Sequence, residues 1–489
     1  MVIPIAVVYG DGVGPEIMEA TLLILHQAKV SLAIESVEAG EKAYKKHWVN
    51  GVADSAWSVL SRVNAILKAP IYTPSGTGYH SVNVSMRKRL GLYANIRPVL
   101  SYYPFVSSAK PNVDVVIIRE NEEGAYTGVE YRRSYNLLES IRSITIFNSI
   151  RISSYAFEYA KTFGRKKVDC LVKDNIMKMT DGCFYESFQG VSKRYPEISN
   201  GKYIVDIGMA RLAAKPEDFD VIVTTNLYGD IASDIAAEIT GSVGMAGSAN
   251  IGDNSAMFEA VHGTAPDIAG KNIANPSGLL NAAIMMLLHL GLYDKAAVIQ
   301  NAWLRTIESG MHTADINGEK TVKLLGTKEF AAEVINNLGM MPRVLPKVSY
   351  DNVCNVSVAN YEDSLATAIK TEKRELLGAD IQVANDGKFD SEFTADKIAS
   401  RINTIINENV SLCVIFCKGL NIWPKLYEYK GLHDCCVLRM ANSSVGQSVS
   451  YKDLVMCIDK FKAIGLITTK IDFLFSFDGK PGFAFAEEY

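Results

Sequence analysis

Phe219-Asp-Val-Ile-Val-Thr-Thr-Asn-Leu-Tyr-Gly-Asp-Ile-Ala-Ser-Asp234 changes periodicity midway. Its first half is an apolar, β-branched run of strand length, read as a buried strand. Asp230 and Asp234 then stand four residues apart at a helix start, which stacks their carboxylates on one face. Two carboxylates held that close repel each other unless a cation lies between them, and Mg²⁺ or Mn²⁺ takes such oxygen ligands. Taken alone, the pair also reads as a helix-capping acid and a solvated acid one turn on.

Outward from this stretch, strand-like and helix-like segments alternate over the first ~340 residues, the pattern of an α/β protein. Pro4–Tyr9, Val113–Arg119 and Val168–Val172 read as strands, and Ile141–Phe147 as a strand exposed on one face. Pro15–Lys29, Ser149–Phe163 and Ala274–Leu292 read as helices. Two prolines in Gly339-Met-Met-Pro-Arg-Val-Leu-Pro346 mark a boundary. Beyond it the pieces Asp380–Ala384, Thr394–Asn407, Val410–Cys417, Cys435–Ala441, Lys452–Ile464 and Ile471–Phe477 run strand, helix, strand, strand, helix, strand. That order is the split βαβ arrangement of an α+β domain.

The 489 residues allow two or three domains, and 48% hydrophobic with 21% charged residues fits a globular protein. A formal charge of −4 argues against a nucleic-acid binder. The apolar N-terminus lacks a basic n-region, so it does not read as a secretory signal. The longest apolar helical stretch contains Asn281 and His289 and is too short to span a bilayer. None of the eight cysteines forms a CxxC pair, so a zinc site is not expected and reduced cysteines are. Together these features point to the cytoplasm, with no nucleic-acid or membrane partner.

Other residues carry chemistry. Gly10-Asp-Gly-Val-Gly14 lacks the third glycine of a dinucleotide fingerprint, because Pro15 stands there; it reads as a tight strand-to-helix turn and not as a Rossmann motif. Arg119 ends a buried strand, where a guanidinium is costly to place. With Arg87 and Arg97 it would give three forks for a ligand with several carboxylates, beside the hydroxyl of Ser81 and the amide of Asn83. Tyr126 and Lys173 each read, taken singly, as a packed ring and a surface charge. At a strand end in an α/β protein, however, Lys173 faces the usual ligand side. In His262-Gly-Thr-Ala-Pro266 small residues let backbone approach a phosphate or ring. A turn role alone does not account for His262 and Asn275 together.

Arg119-Glu-Asn-Glu-Glu, Asn226-Leu-Tyr-Gly-Asp-Ile-Ala-Ser-Asp234 and His262-Gly-Thr-Ala-Pro-Asp-Ile-Ala-Gly270 together resemble the isocitrate/isopropylmalate dehydrogenase family. The resemblance covers about residues 1–343. It implies an α/β fold particular to the family, not a Rossmann fold. Residues 1–95 and 253–343 would form a large, cofactor-binding subdomain, and 96–252 a small subdomain for dimerisation and metal binding. Residues 344–378 would be a connector, and 379–489 a C-terminal split βαβ domain similar to the appended domain of long bacterial isocitrate dehydrogenases.

The implied reaction is oxidation of a 2-hydroxy acid by a nicotinamide cofactor, followed by decarboxylation. Ser81 and Asn83 match the isocitrate branch, because an isopropyl group would leave these donors unsatisfied. By resemblance, Lys68 and Thr73 line the same pocket and Asn175 helps position substrate. Asp230 and Asp234 hold Mg²⁺ or Mn²⁺ together with Asp206 of the partner subunit. Lys173 of the partner subunit assists removal of the hydroxyl proton, and Tyr126 protonates the enolate. Such sharing requires a homodimer. His262, Gly263, Thr264, Ala265, Pro266, Asp267, Ile268 and Asn275 line the cofactor. NADP-dependent relatives place lysine and tyrosine where this chain has Asp267 and Ile268, and some have a tyrosine where Ala314 stands. A carboxylate would repel a 2′-phosphate, so the expected cofactor is NAD, with NADP as the alternative. The alternative functions are a homoisocitrate or isopropylmalate dehydrogenase and a catalytically silent regulatory subunit.

Overall fold

Parallel pairing requires crossover connections, and the apolar runs of the sequence provide strands buried on both faces for it. A computed structural model describes residues 2–48, 51–74, 81–350, 356, 372–385, 393–406, 408–424, 434–444 and 447–484. Most of the expected connector, 351–355 and 357–371, lies outside these residues. Contacts divide the chain into two units, residues 1–127 with 142–368, and residues 128–141 with 369–489.

The first unit is built on one sheet of ten strands. These are β1 (Ile3–Val8), β2 (Leu32–Ser36), β3 (Ala65–Lys68), β4 (Ala94–Leu100), β5 (Asp114–Glu120), β8 (Lys167–Val172), β9 (Ser199–Ile204), β10 (Val221–Thr224), β11 (Gly247–Ile251) and β12 (Ala256–Ala260). Their order is β2-β1-β3-β12-β11-β4-β5-β10-β8-β9. The two flanks pair in parallel, and the middle, β12-β11-β4-β5, pairs antiparallel. Helices cover the sheet, and the main core joins Ile5, Val7, Ile118 and Val223 to Ile17, Phe157 and Leu280 from them. A short sheet of β13 (Met311–His312) and β14 (Lys323–Leu324) completes the unit.

The second unit contains the hairpin β6 (Glu130–Arg132) and β7 (Leu138–Ser140). It also contains β15 (Arg374–Asn385), β16 (Val410–Cys417), β17 (Leu420–Trp423), β18 (Cys435–Asn442), β19 (Leu466–Phe477) and β20 (Lys480–Pro481). These six are antiparallel in the order β17-β16-β18-β15-β19-β20. The helices Ala395–Asn403 and Tyr451–Phe461 supply Ile398, Ile402, Leu454 and Cys457 to its core, which realises the split βαβ plan. Arg133 Nη1 donates to the Thr469 carbonyl (3.0 Å) and Gln382 Nε2 to Glu139 Oε1 (2.6 Å), tying the hairpin to this sheet.

One expected strand is corrected. Residues 141–147 form no strand; a helix already runs over Ile146–Thr162. Thr145 caps it by accepting from the Asn148 amide (3.1 Å). A capping threonine three residues before a free amide outweighs a short alternation of apolar residues. Among the described residues, no helix is long and apolar enough to cross a membrane.

Candidate active site

Each site residue sits where a strand or a helix start delivers it. Lys68 ends β3 and lies opposite Glu259 of β12. Lys68 Nζ and Glu259 Oε2 are 2.6 Å apart, and both side chains are buried. Arg87, from the helix Val82–Arg89, donates to Glu259 Oε1 at 2.8 Å. Asn250 Nδ2 donates to the same oxygen at 2.8 Å, and Asn250 Oδ1 accepts from Asn95 Nδ2 at 2.9 Å. Asn95 in turn accepts from Arg97 Nε at 2.7 Å. A single hydrogen-bonded network therefore joins β3, β4, β11 and β12. Burial opposes ionisation of Glu259, but Lys68 and Arg87 outweigh it and hold the carboxyl far below the usual range.

Arg119, next to last in β5, donates to Asn226 Oδ1 from Nε (3.0 Å) and Nη2 (2.8 Å) and to Asp230 Oδ1 from Nη1. Asp230 also accepts from Arg97 Nη2 (3.1 Å) and from the Tyr126 hydroxyl. Gly229 allows this approach, since a Cβ there would lie 2.6 Å from the Arg119 side chain. Burial, followed by the charges of Arg97 and Arg87, pulls the Arg119 guanidinium down. Burial raises the carboxyl of Asp230, yet Arg119 and Arg97 more than reverse this. Asp234, one turn on, is pushed up by burial and by Asp230 despite Arg97. Burial and the bond to Asp230 raise the phenol of Tyr126, which keeps it protonated near neutrality. The Arg119 guanidinium lies 4.8 Å from the Tyr126 ring centre.

A cavity of about 200 Å³ is lined by Lys68, Ser81, Asn83, Arg87, Arg97, Arg119, Tyr126, Asp230, Glu259, His262 and Gly263, among others. Ser81 caps its helix, and the Thr73 hydroxyl stands 3.4 Å from the Ser81 hydroxyl. The buried Asn83 Oδ1 has no partner among the described residues. The structure thus gathers Lys68, Ser81, Asn83, Arg87, Arg97, Arg119 and Tyr126 around one pocket, whereas Thr73 and Asp234 are not in its lining. Lys173, Asn175 and Asp206 do not line it. Instead Lys173 Nζ meets Asp206 Oδ1 at 2.7 Å, with Asp206 68% exposed. Asn175 is exposed. Among the described residues, no three His, Cys, Asp or Glu side chains gather as a metal site.

On the cofactor side, the buried His262 Nε2 has no partner among the described residues, while Nδ1 lies 3.0 Å from the Gly263 carbonyl. The Thr264 carbonyl accepts from the Val13 amide (2.9 Å), and a Cβ on Gly12 would lie 2.0 Å from it. The glycine turn after β1 therefore seats the 262–268 loop, in which Ala265 has a positive φ of 40°. Thr264, Ile268 and Asn275 are at least partly buried, and Ala265, Pro266 and Asp267 are exposed. Asn275 Nδ2 donates to Asp315 Oδ2 (3.0 Å). An unpartnered imidazole nitrogen and an open glycine at 263 suit a planar polar ligand, and Asp230 with Asp234 suits a hard cation.

Sequence reasoning missed Glu259, Asn250, Asn95, Asn226 and Ser233, the last of which accepts from Arg97 Nη1. A glutamate inside the apolar strand Ala256-Met-Phe-Glu-Ala260 was the available signal.

A family model described as isocitrate/isopropylmalate dehydrogenase matches residues 4–334, and one described as bacterial isocitrate dehydrogenase, C-terminal domain, matches 374–488. A protein of Rickettsia felis named isocitrate dehydrogenase [NADP] is 50% identical, with 99% of each chain covered. A protein of the same name from Thermus thermophilus is 36% identical over 99% of this chain and 95% of its own. A crystal structure of a Thermus thermophilus protein superposes with a TM-score of 0.90 at 34% identity, covering 99% of this chain and 96% of that one. The expectation of NAD is overturned by these relatives, which are named for NADP. It rested on Asp267, Ile268 and Ala314, and a cation for a 2′-phosphate can come from elsewhere on the loop. Lys271 is exposed on that loop and is the one Lys or Arg between Lys215 and Lys295.

Proposed function

The chain belongs to the isocitrate/isopropylmalate dehydrogenase family, and on that footing we propose that it oxidises and decarboxylates isocitrate to 2-oxoglutarate and CO₂ with NADP as cofactor. The observation that carries this reading is the pocket itself: three guanidiniums and an ammonium converge with Ser81 and Asn83 on about 200 Å³. Arg87, Arg97 and Arg119 would take two of the substrate carboxylates, and Ser81 and Asn83 the third, with Lys68 buried against Glu259 in the pocket wall and Thr73 beside Ser81.

Asp230 and Asp234, with Asp206 of the partner subunit, would hold Mg²⁺ or Mn²⁺. The cation would supply Lewis-acid polarisation and the nicotinamide a hydride acceptor. Lys173 of the partner subunit would assist removal of the hydroxyl proton as the alcohol is oxidised, with Asn175 positioning the substrate. Tyr126, already protonated, delivers a proton to the substrate enolate left when CO₂ departs. His262 and the loop to Ile268, with Asn275, would bind the cofactor, and Lys271 its 2′-phosphate. A homodimer with shared sites is supported by the separation, within one chain, of the Lys173–Asp206 pair from the pocket. The composition accords with a cytoplasmic enzyme.

Initial rates with isocitrate, homoisocitrate and isopropylmalate, each with NADP⁺ and NAD⁺, test the reading. Isocitrate with NADP⁺ should be the best pair; isopropylmalate as preferred substrate would overturn it. Lys271→Ala should raise KM for NADP⁺ about tenfold, the weight of one phosphate contact, and leave isocitrate saturation unchanged. Mixing inactive Lys173→Ala and Asp230→Asn chains should restore about a quarter of wild-type activity, since each mixed dimer regains one whole site. No recovery after confirmed subunit exchange would place each site within one chain.

A further inference from the structure

Lys173 is the first residue beyond the large sheet. β8 pairs with β10 as far as Leu171 and with β9 as far as Val172. The next amide, that of Lys173, goes to a side chain instead: Asp181 Oδ2 accepts it at 2.6 Å. The Lys173 carbonyl accepts from the amides of Ile176 (3.1 Å) and Met177 (2.9 Å), and the Met177 carbonyl from that of Asp181 (3.0 Å). Residues 173–181 are therefore closed on themselves, with the Asp181 carboxylate reaching back to the first of them.

Asp181 stands in the first turn of the helix Thr180–Ser192, and its side chain is fully buried. A carboxylate withdrawn from water needs a cation and hydrogen bonds in return. Its Oδ1 lies 2.7 Å from Arg142 Nη1. Arg142 is itself held: Nη1 donates to the Thr180 hydroxyl at 3.1 Å, and the guanidinium lies 5.6 Å from the Tyr228 ring centre. Arg142 Nη2 also donates to the Thr225 hydroxyl, at 3.4 Å, where the helix bearing Asp230 starts. Of the two outward links, the bond of 2.6 Å from an amide to a carboxylate is the stronger, so the ion pair acts mainly on Lys173.

We infer that Asp181 and Arg142 are positioning residues for the Lys173 that each chain lends to its partner's site, an inference that rests on the reading of shared sites. Neither lines the chain's own pocket. Asp206, in the first turn of the helix that follows β9, meets the Lys173 ammonium at 2.7 Å. Lys173 is thus held at both ends, by Asp181 at its amide and by Asp206 at its Nζ. The buried ion pair fixes where the main chain leaves the sheet, and with it the origin from which the side chain reaches across the dimer. A reacting group displaced by about 1 Å loses on the order of 10²-fold in rate.

Subunit mixing tests this, because it reports which of the two sites a residue serves. Asp181→Asn keeps an acceptor for the Lys173 amide and removes the charge that faces Arg142, and kcat should fall about 10- to 100-fold. Mixed with Asp230→Asn chains it should recover about a quarter of wild-type activity, since each mixed dimer regains one site with an intact Lys173 beside an intact Asp230. Mixed with Lys173→Ala chains it should recover nothing, since both variants spoil the same contribution. Any other sorting, or an undiminished kcat, overturns the inference: recovery with Lys173→Ala alone would assign the ion pair to the chain's own Asp230 helix, and recovery with neither to general folding. Lys173→Ala mixed with Asp230→Asn separates the two levels, because its failure after confirmed exchange removes the shared sites and the inference with them. Should Asp181→Asn not fold, Asp181→Asn with Arg142→Gln leaves no charge unpaired and takes its place in the same mixtures.

Discussion

Arg119 and Arg439 are both buried guanidiniums, one in each unit, and they are neutralised in opposite ways. Arg439 meets Asp380 in a bidentate pair, Nε to Oδ1 at 2.7 Å and Nη2 to Oδ2 at 2.6 Å, with its guanidinium 4.8 Å from the Phe416 ring and 5.1 Å from that of Phe483. One cation faces one anion. Around Arg119 the pocket lining holds Lys68, Arg87, Arg97 and Arg119 against Glu259 and Asp230, four cations to two anions. Uncompensated buried charge is strongly destabilising. Such an excess is understandable where an anionic ligand completes the balance, whereas a closed pair such as Arg439–Asp380 serves the fold. The ratio of charges, not burial, separates a site from a scaffold.

Removing the one neutral acid of the pocket should have the largest effect. Tyr126→Phe should lower kcat by about 10²- to 10⁴-fold, the usual range for a lost general acid, with KM for isocitrate changed only a few-fold. Steady-state kinetics decides. A rise in KM with kcat preserved would make Tyr126 merely a ring packed under Arg119.

The comparison breaks or holds on a pair of variants. Glu259→Gln strips Lys68 and Arg87 of their counter-ion and should cost about 3–5 kcal/mol without ligand. Isocitrate should recover part of this, so its addition should raise Tm more in the variant than in the wild type. Arg439→Met also leaves a buried charge, Asp380, and should destabilise as well, though less, because Asp380 is partly exposed. Isocitrate should give that variant no extra rise, and its kinetics should match wild type. Equal rescue of both variants would show that the two clusters do not differ in kind.

Much of the site was legible because its residues mark places where a chemical type is out of keeping with its surroundings: Arg119 at the end of an apolar strand, Asp230 and Asp234 on one helical face, His262 in a loop of small residues. Glu259, Asn250 and Asn95 were not legible, although they hold Lys68, Arg87 and Arg97 in place. Their contacts join residues some 150 positions apart through the antiparallel middle of the sheet, and no local pattern encodes which strands become neighbours. The same holds for the hairpin of β6 and β7, which groups by contact with strands more than two hundred residues on. At 141–147 local signals competed, and the cap at Thr145 prevailed over alternation. The cofactor was misjudged because three positions, Asp267, Ile268 and Ala314, stood in for a whole binding surface.

Glu120 sharpens the comparison with the smallest expected effect. It follows Arg119 at the end of β5 and is buried with no cation partner among the described residues, accepting instead from the amides of Glu122 (2.7 Å) and Glu123 (3.1 Å). Burial pushes its carboxyl up to about 7, although these amides pull the other way. A carboxyl raised in the native state binds its proton more tightly there than in the unfolded chain. Stability therefore falls as pH rises from the ordinary glutamate range, about 4.3, toward 7, and levels off above that. Glu120→Gln keeps an acceptor for the amides and removes the ionisation. It should stabilise the protein by roughly 1–3 kcal/mol at pH 8, and the gain should shrink steadily as pH is lowered to 5. Thermal melts of both proteins across that range measure it. A gain independent of pH would mean that Glu120 titrates alike in the native and unfolded states and that packing rather than ionisation sets its cost.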